Sequence, residues 1–202
     1  MGILIVGGLI WVVAMGPTGG GGTLDPNATF NDDMNPFMGP EGAKVTVRIF
    51  SDFQCPACKL AEGPLRQAME KYKDRVRFVW NDYPLTQVHA NSLAAAVAAR
   101  CAQEQNKFWE YSQSLFENQK SWDALAVPSQ KFIDMAKGLG LEGDNFTSCL
   151  GRSAPKDKVN QDMIEGQGLG IDSTPTFFIN RKMYSGAMDF ATWQKELDQA
   201  LR

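Results

Sequence analysis

Two cysteines, Cys55 and Cys58, follow an apolar run and open a segment of helical pattern in SDFQCPACKLAEGP. A cysteine at the start of a helix faces backbone N–H groups without partners, and the positive end of the helix dipole stabilises its thiolate. Only the thiolate attacks disulfides, and a lower pKa also makes it a better leaving group. Cys58 lies one turn further on, within reach of a disulfide with Cys55. Pro56 sits where its missing N–H costs nothing. The spacing therefore favours redox exchange with other thiols.

Other interpretations of this pair compete with redox exchange. A structural zinc site needs four ligands, usually from two such pairs, and the chain has one pair and one histidine, His89. A purely structural disulfide gains little from closing so short a loop. Copper binding by the same two thiols stays open.

Composition limits the classes of function. The 202 residues are 44% hydrophobic, which is enough for one well-buried domain. A net charge of -3 argues against a nucleic-acid partner. Four cysteines are too few for a disulfide scaffold, so an apolar core must hold the fold.

The N-terminus differs from the rest of the chain. Residues 3–15 are apolar without a charge and, as a helix, would span about 20 Å, short of a bilayer core of about 30 Å. Residues 1–16 are therefore predicted to be a signal or membrane-anchor segment. The Gly- and Pro-rich residues 17–40 are predicted to be a flexible linker, and residues 41–202 the folded domain.

Apolar periodicity within 41–202 predicts an order of β-α-β, a block of helices, and β-β-α. The predicted elements are a strand over 44–50, a helix from Ala57 kinked at Pro64, a strand over 76–82, helices over 89–168 with a cap at Asp144, two short strands over 173–186 and a closing helix from Asp189. A right-handed crossover makes the first two strands parallel.

Thr174-Pro175 precedes a late strand, and proline readily adopts the cis peptide bond. A cis bond there would expose the Thr174 backbone to an extended peptide held at Cys55, whereas an ordinary trans proline is the alternative.

The segments FSDFQCPAC, KFWEYSQSLF and GIDSTPTFFIN together resemble the DsbA-type thiol:disulfide oxidoreductases over residues 41–202. The resemblance implies an α/β, thioredoxin-like fold with an inserted all-helical subdomain at about 88–153. It also implies that Cys55 is the nucleophile, Cys58 the resolving cysteine and Thr174-Pro175 the cis-proline loop. Members of this family work outside the cytoplasm, so we expect the periplasm or extracytoplasmic face, reduced exported proteins as substrates and a membrane redox partner for reoxidation. Because sulfur carries the chemistry, no cofactor and no metal is implied.

The chain departs from the family pattern at two positions. Many relatives carry a glutamate where this chain has Ile49, so Asp52 or Glu62 would have to accept the proton of Cys58. The strongest oxidants carry histidine where this chain has Ala57, which predicts a milder oxidant.

The remaining cysteines, Cys101 and Cys149, fall on predicted helices of the insertion. We expect a structural disulfide in an exported protein, with two buried free thiols as the alternative. His89 is expected to be a helix-entry residue with a satisfied ring, and Phe53 is a candidate aromatic surface for unfolded chains.

These observations predict an exported or membrane-anchored oxidase of protein dithiols that acts through Cys55 and Cys58. A disulfide reductase or isomerase is the alternative enzyme. A copper-binding or peptide-holding module with the same fold is the alternative without enzymatic activity.

Overall fold

The computed structural model describes residue 24 and residues 28–202. The predicted signal or anchor segment over 1–16 lies outside the described residues. Within the part of the chain that is described, no helix is both long enough and apolar enough to cross a bilayer.

A five-stranded mixed sheet forms the centre of the fold, in the order β1-β3-β2-β4-β5. Its strands are β1 (Phe37–Met38), β2 (Val45–Ser51), β3 (Val76–Asp82), β4 (Thr176–Ile179) and β5 (Lys182–Ser185). As predicted, β2 and β3 run parallel, and the other neighbours are antiparallel. Both parallel strands are mostly buried, as expected for strands covered on both faces of a sheet.

Seven α-helices flank the sheet in the described residues. They are α1 (Pro56–Tyr72), α2 (Ser92–Gln103), α3 (Phe108–Glu117), α4 (Ser129–Gly138), α5 (Gly143–Leu150), α6 (Ser153–Gly168) and α7 (Phe190–Ala200). Helix α1 continues through Pro64 as a single helix. The predicted cap at Asp144 is wrong, because Glu142 precedes α5 and forms no side-chain capping bond. The helices α2 to α5 lie within the predicted insertion.

Alternating residues of β2 belong to two apolar clusters. Val47 and Ile49 join the large cluster beneath α1, α7 and the insertion. Phe50 joins a small cluster with Tyr83, Ile171 and Phe178. Since neighbouring strand residues point to opposite faces, the sheet separates the two clusters. Both faces of β2 are therefore sealed where it runs into the cysteine segment.

Residues before the domain boundary that composition predicts pack against the sheet. Phe30 packs edge-on against Phe178 with ring centroids 5.3 Å apart, and Asp32 forms an ion pair with Arg48 at 2.6 Å. Strand β1 then pairs with β3. The prediction of a flexible linker reaching residue 40 is therefore wrong for this end of it, because aromatic and charged residues here find partners on the sheet.

Candidate active site

The cysteine pair lies at the junction between the end of β2 and the start of α1. Cys55 is the N-cap residue of α1 and Pro56 occupies its first turn. Cys55 is 6% exposed and Cys58 is 2% exposed, and both are free thiols. The exposed Pro56 and the half-buried Ala57 form the surface above them. Cys55 and Cys58 therefore lie at the N-terminus of α1, where the sequence pattern placed them.

The two thiols have opposite acidities. A hydrogen bond from Cys58 is the largest effect that lowers the pKa of Cys55, to about 5, against the opposing effect of burial. The Thr174 side chain and the backbone N–H groups of Cys58 and Ala57 lower it further. Burial is the largest effect that raises the pKa of Cys58 well above its ordinary value, and the Cys55 thiolate adds to it. The negative charge of the reduced pair therefore rests on Cys55.

The loop before β4 contacts the first cysteine. The Thr174-Pro175 peptide bond is cis, and the Cys55 Sγ lies 3.5 Å from the Thr174 carbonyl oxygen. Thr174 is 8% exposed, and its hydroxyl lowers the pKa of Cys55 without forming a hydrogen bond of ordinary geometry to any described residue. The predicted juxtaposition of this loop with Cys55 is present.

The helical insertion holds the cysteine segment by its backbone. The Gln119 side-chain amide donates to the carbonyl oxygens of Phe53 at 2.8 Å and Cys55 at 3.3 Å. Gln54 donates to the Asp123 carbonyl oxygen at 2.8 Å and accepts from the Asn91 backbone N–H at 2.7 Å. Sequence reasoning missed Gln119, since a glutamine within a polar stretch carries no periodic or motif signal. The insertion therefore fixes where Cys55 sits.

Asp52 joins the same network through its carboxylate. That group accepts hydrogen bonds from the backbone N–H groups of Gln54 at 2.7 Å and Leu85 at 2.9 Å, and lies 2.7 Å from His89 Nδ1. The ring of His89 is thus satisfied, as expected. The Asp52 backbone N–H, in contrast, points to the Cys58 Sγ at 3.5 Å. Asp52 therefore bonds Cys58 through its backbone, while its carboxylate braces the loops.

Glu62 is the second of the two predicted proton acceptors. It follows Cys58 by one turn of α1, and its side chain is 16% exposed. Burial raises its pKa to about 7, with Arg66 opposing and Glu117 adding to the shift. A carboxyl group that titrates near neutral pH suits proton exchange better than an ordinary glutamate.

Phe53 does not form an exposed aromatic surface. It is 1% exposed and stacks on Trp80 with ring centroids 4.8 Å apart. The exposed apolar residues in the loops beside Gln54 and Asn91 are instead Val88, Leu125 and Val127. No group of three or more His, Cys, Asp or Glu side chains in the described residues could hold a metal ion.

The second pair of cysteines is bonded. Cys101 of α2 and Cys149 of α5 form a disulfide with an S–S distance of 2.00 Å and Cα atoms 5.6 Å apart. Each of these residues is 1% exposed. The bond lies within the insertion and joins two of its helices.

Comparison with known proteins agrees with this architecture. The model of a thioredoxin family matches residues 31–199, and the chain belongs to that family. The thiol-disulfide exchange protein alpha-DsbA2 of Wolbachia pipientis is 21% identical, with a TM-score of 0.72 over 83% of this chain and 88% of that chain. Oxidised BdbD of Bacillus subtilis is 23% identical, with a TM-score of 0.73 over 90% of this chain and 97% of that chain. The fold is therefore the DsbA-like form of the thioredoxin fold, as the sequence resemblance predicted.

One relative in sequence is named as an ion antiporter rather than as a thiol-disulfide exchange protein. The Na(+)/H(+) antiporter NhaA 3 of Salinispora tropica is 34% identical over 165 residues, which cover 82% of this chain and 24% of the antiporter. The chain thus spans about a quarter of the length of that relative.

Proposed function

We propose that this protein is an extracytoplasmic thiol:disulfide oxidoreductase that forms disulfides in exported proteins. One observation carries the proposal: a thiol with a pKa of about 5 caps α1, beside a second thiol whose pKa is raised. A stabilised thiolate favours the reduced form of the pair, and so makes the disulfide form an oxidant.

The reaction begins with the Cys55–Cys58 disulfide. A substrate thiolate attacks the Cys55 sulfur, the bond between the cysteines breaks, and Cys58 leaves and takes up a proton. Its raised pKa holds that proton near neutral pH. A second substrate thiolate then attacks the substrate sulfur of the mixed disulfide, and Cys55 leaves as a thiolate. The substrate loses two electrons, which the cysteine pair gains.

Glu62 supports proton movement at Cys58. The family position at Ile49 offers no acid, and the Asp52 carboxylate is engaged by two N–H groups and His89. Glu62 is the remaining predicted acid, with a pKa of about 7. We assign it the exchange of the Cys58 proton with solvent.

Two features support a location outside the cytoplasm. The apolar segment over 3–15 has the composition of a signal or anchor. The Cys101–Cys149 disulfide fits an oxidising compartment, because cytosolic thiols are kept reduced. Reduced exported proteins are then the proposed substrates, and a membrane redox partner regenerates the Cys55–Cys58 disulfide.

Oxidative refolding of a reduced ribonuclease tests the proposal. The oxidised protein should restore ribonuclease activity, Cys55→Ser should abolish this, and Cys58→Ser, which cannot form the Cys55–Cys58 disulfide, should abolish it as well. The Cys101→Ser, Cys149→Ser double variant is the matched control and should keep its turnover. If Cys55→Ser refolds ribonuclease as well as the wild type does, the proposal is wrong.

The same preparation separates the alternative functions. A reductase would reduce insulin with glutathione faster than it oxidises ribonuclease. An isomerase would restore scrambled ribonuclease but not the reduced form. Tight copper(I) binding without turnover would indicate a binding module.

A further inference from the structure

A cleft of about 530 Å³ lies between α1, α3 and the β1–β3 edge of the sheet. Its volume falls within the range of small-molecule sites. Its apolar wall consists of Met38, Leu65, Met69, Trp80 and Trp109. The two indole rings meet edge to face, with centroids 6.5 Å apart. This wall offers the partly exposed Trp109 ring and methionine side chains, which adapt to ligands of varied shape.

The charged residues that line the cleft are mostly acidic. They are three glutamates, Glu62, Glu70 and Glu110, and one arginine, Arg66. Glu70 and Glu110 are each paired with an exposed lysine outside the lining, at 2.6 Å and 2.8 Å. Glu62 is more deeply placed, and Arg66 approaches it no nearer than 3.7 Å with 44% of its side chain exposed. Such a half-exposed pair contributes little, so Glu62 offers the cleft a weakly compensated carboxylate.

The surroundings of Glu62 favour a visiting cation. Glu117 on α3 adds a second negative field, and Arg66 on its own helix supplies the opposing charge. Neutral polar groups on the α3 side come from Ser112 and Gln113. An organic cation would place its charge near Glu62 and beside the partly exposed Trp109 ring, where cation–π attraction adds to the burial of its apolar body.

We propose that this cleft is a binding site for a small organic cation with an apolar body, such as an alkylammonium compound. The site uses neither cysteine and shares only Glu62 with the proposed proton exchange, so cation binding and thiol oxidation, measured separately, can each fail while the other stands.

Calorimetric titration at pH 8 with hexyltrimethylammonium tests the proposal, with hexanesulfonate as a probe of equal apolar length and opposite charge. The cation should bind with a stoichiometry of one, and the sulfonate should bind at least tenfold more weakly. Glu62→Gln should weaken cation binding roughly fivefold to tenfold, and Trp109→Leu by a similar factor. Glu165→Gln is the matched control, because Glu165 is also partly buried with a raised pKa but lies on α6. It should bind the cation as the wild type does.

The pH dependence of the cation affinity provides an independent test of the proposal. Glu62 ionises around pH 7, so cation affinity should rise severalfold between pH 6 and pH 8 and stay flat in Glu62→Gln. Far-UV circular dichroism and a cooperative urea unfolding transition report whether each variant is folded. Equal affinity for the sulfonate, an unaltered affinity in Glu62→Gln, or no saturable cation binding in the millimolar range would each overturn the proposal. If Glu62→Gln fails to fold, the wild-type pH profile and Trp109→Leu decide the matter.

Discussion

The chain contains two cysteine pairs that burial alone does not distinguish. Cys55 and Cys58 are 6% and 2% exposed, and Cys101 and Cys149 are 1% exposed each. One pair is present as free thiols and the other as a disulfide. Their difference therefore lies in something other than solvent access.

Position along the helix separates the two pairs. Cys55 caps the N-terminus of α1, where the dipole and two backbone N–H groups favour the thiolate. Cys101 and Cys149 lie in the last turns of α2 and α5, where the negative end of the dipole disfavours it. A poorly stabilised thiolate is a poor leaving group, so the insertion disulfide resists exchange. The comparison indicates that the end of the helix at which a cysteine lies helps to set the stability of its thiolate.

The largest expected effect is on the acidity of Cys55. Its alkylation by iodoacetamide in the reduced protein should fall as the pH drops through about 5 and be flat from pH 7 to pH 8, since the thiolate is already fully formed there. A profile that keeps rising towards the ordinary value of 9.0 would remove the distinction between the pairs.

The stability of the reduced protein should depend on pH because the pKa of Cys55 is lowered in the folded state. Folding lowers the pKa of Cys55, so the reduced wild type gains stability relative to Cys55→Ser as the pH rises from 5 towards 9. That gain is lost as the pH falls through about 5. Urea unfolding of both proteins at pH 5 and pH 8 measures it.

The next largest effect is expected from removing the Cys101–Cys149 disulfide of the insertion. The bond spans a sequence separation of 48 residues, and the loop-closure model gives it about 4 kcal/mol. Cys101→Ser, Cys149→Ser should lose stability of this order in urea unfolding and keep its refolding activity. Loss of that activity in the folded double variant would mean that the second pair also exchanges electrons.

Gln119→Leu should have an intermediate effect. The change leaves the carbonyl oxygens of Phe53 and Cys55 without their donor from the insertion, at a cost of about 1–3 kcal/mol in the free energy of unfolding. The Cys55 segment should also shift, which the glutathione redox equilibrium would detect. Gln113→Leu, on the exposed side of α3, is the control and should alter neither quantity.

Thr174→Val should give the smallest effect. Valine keeps the shape of threonine but removes the hydroxyl, so the pKa of Cys55 should rise by about half a unit to one unit. The alkylation profile measures this rise. A pKa for Cys55 that stays at its wild-type value would show that the backbone and Cys58 alone stabilise the thiolate.

The sequence predicted the elements that carry strong local signals. The alternation of β2, the helical spacing from Ala57 and the parallel β2–β3 pair are all present in the structure. Strand β1 was missed, because two residues are too few to show a period and their partner strand lies far along the chain. Asn91 occupies the N-cap position of α2, but its side chain donates to the carbonyl oxygens of Trp122, Asp123 and Leu125 rather than capping the helix, which no local pattern indicates.

What the sequence by itself determined is the pairing of Cys55 with a helix N-terminus, because dipoles and unpartnered N–H groups are set by the neighbouring residues. The approach of the Thr174 loop to Cys55 was predicted from the sequence, but only the tertiary structure decided that Gln119, 64 residues away, would meet the Cys55 backbone. Such contacts depend on the order of strands in the sheet and on how the insertion packs against it, and these follow from long-range burial of apolar surface.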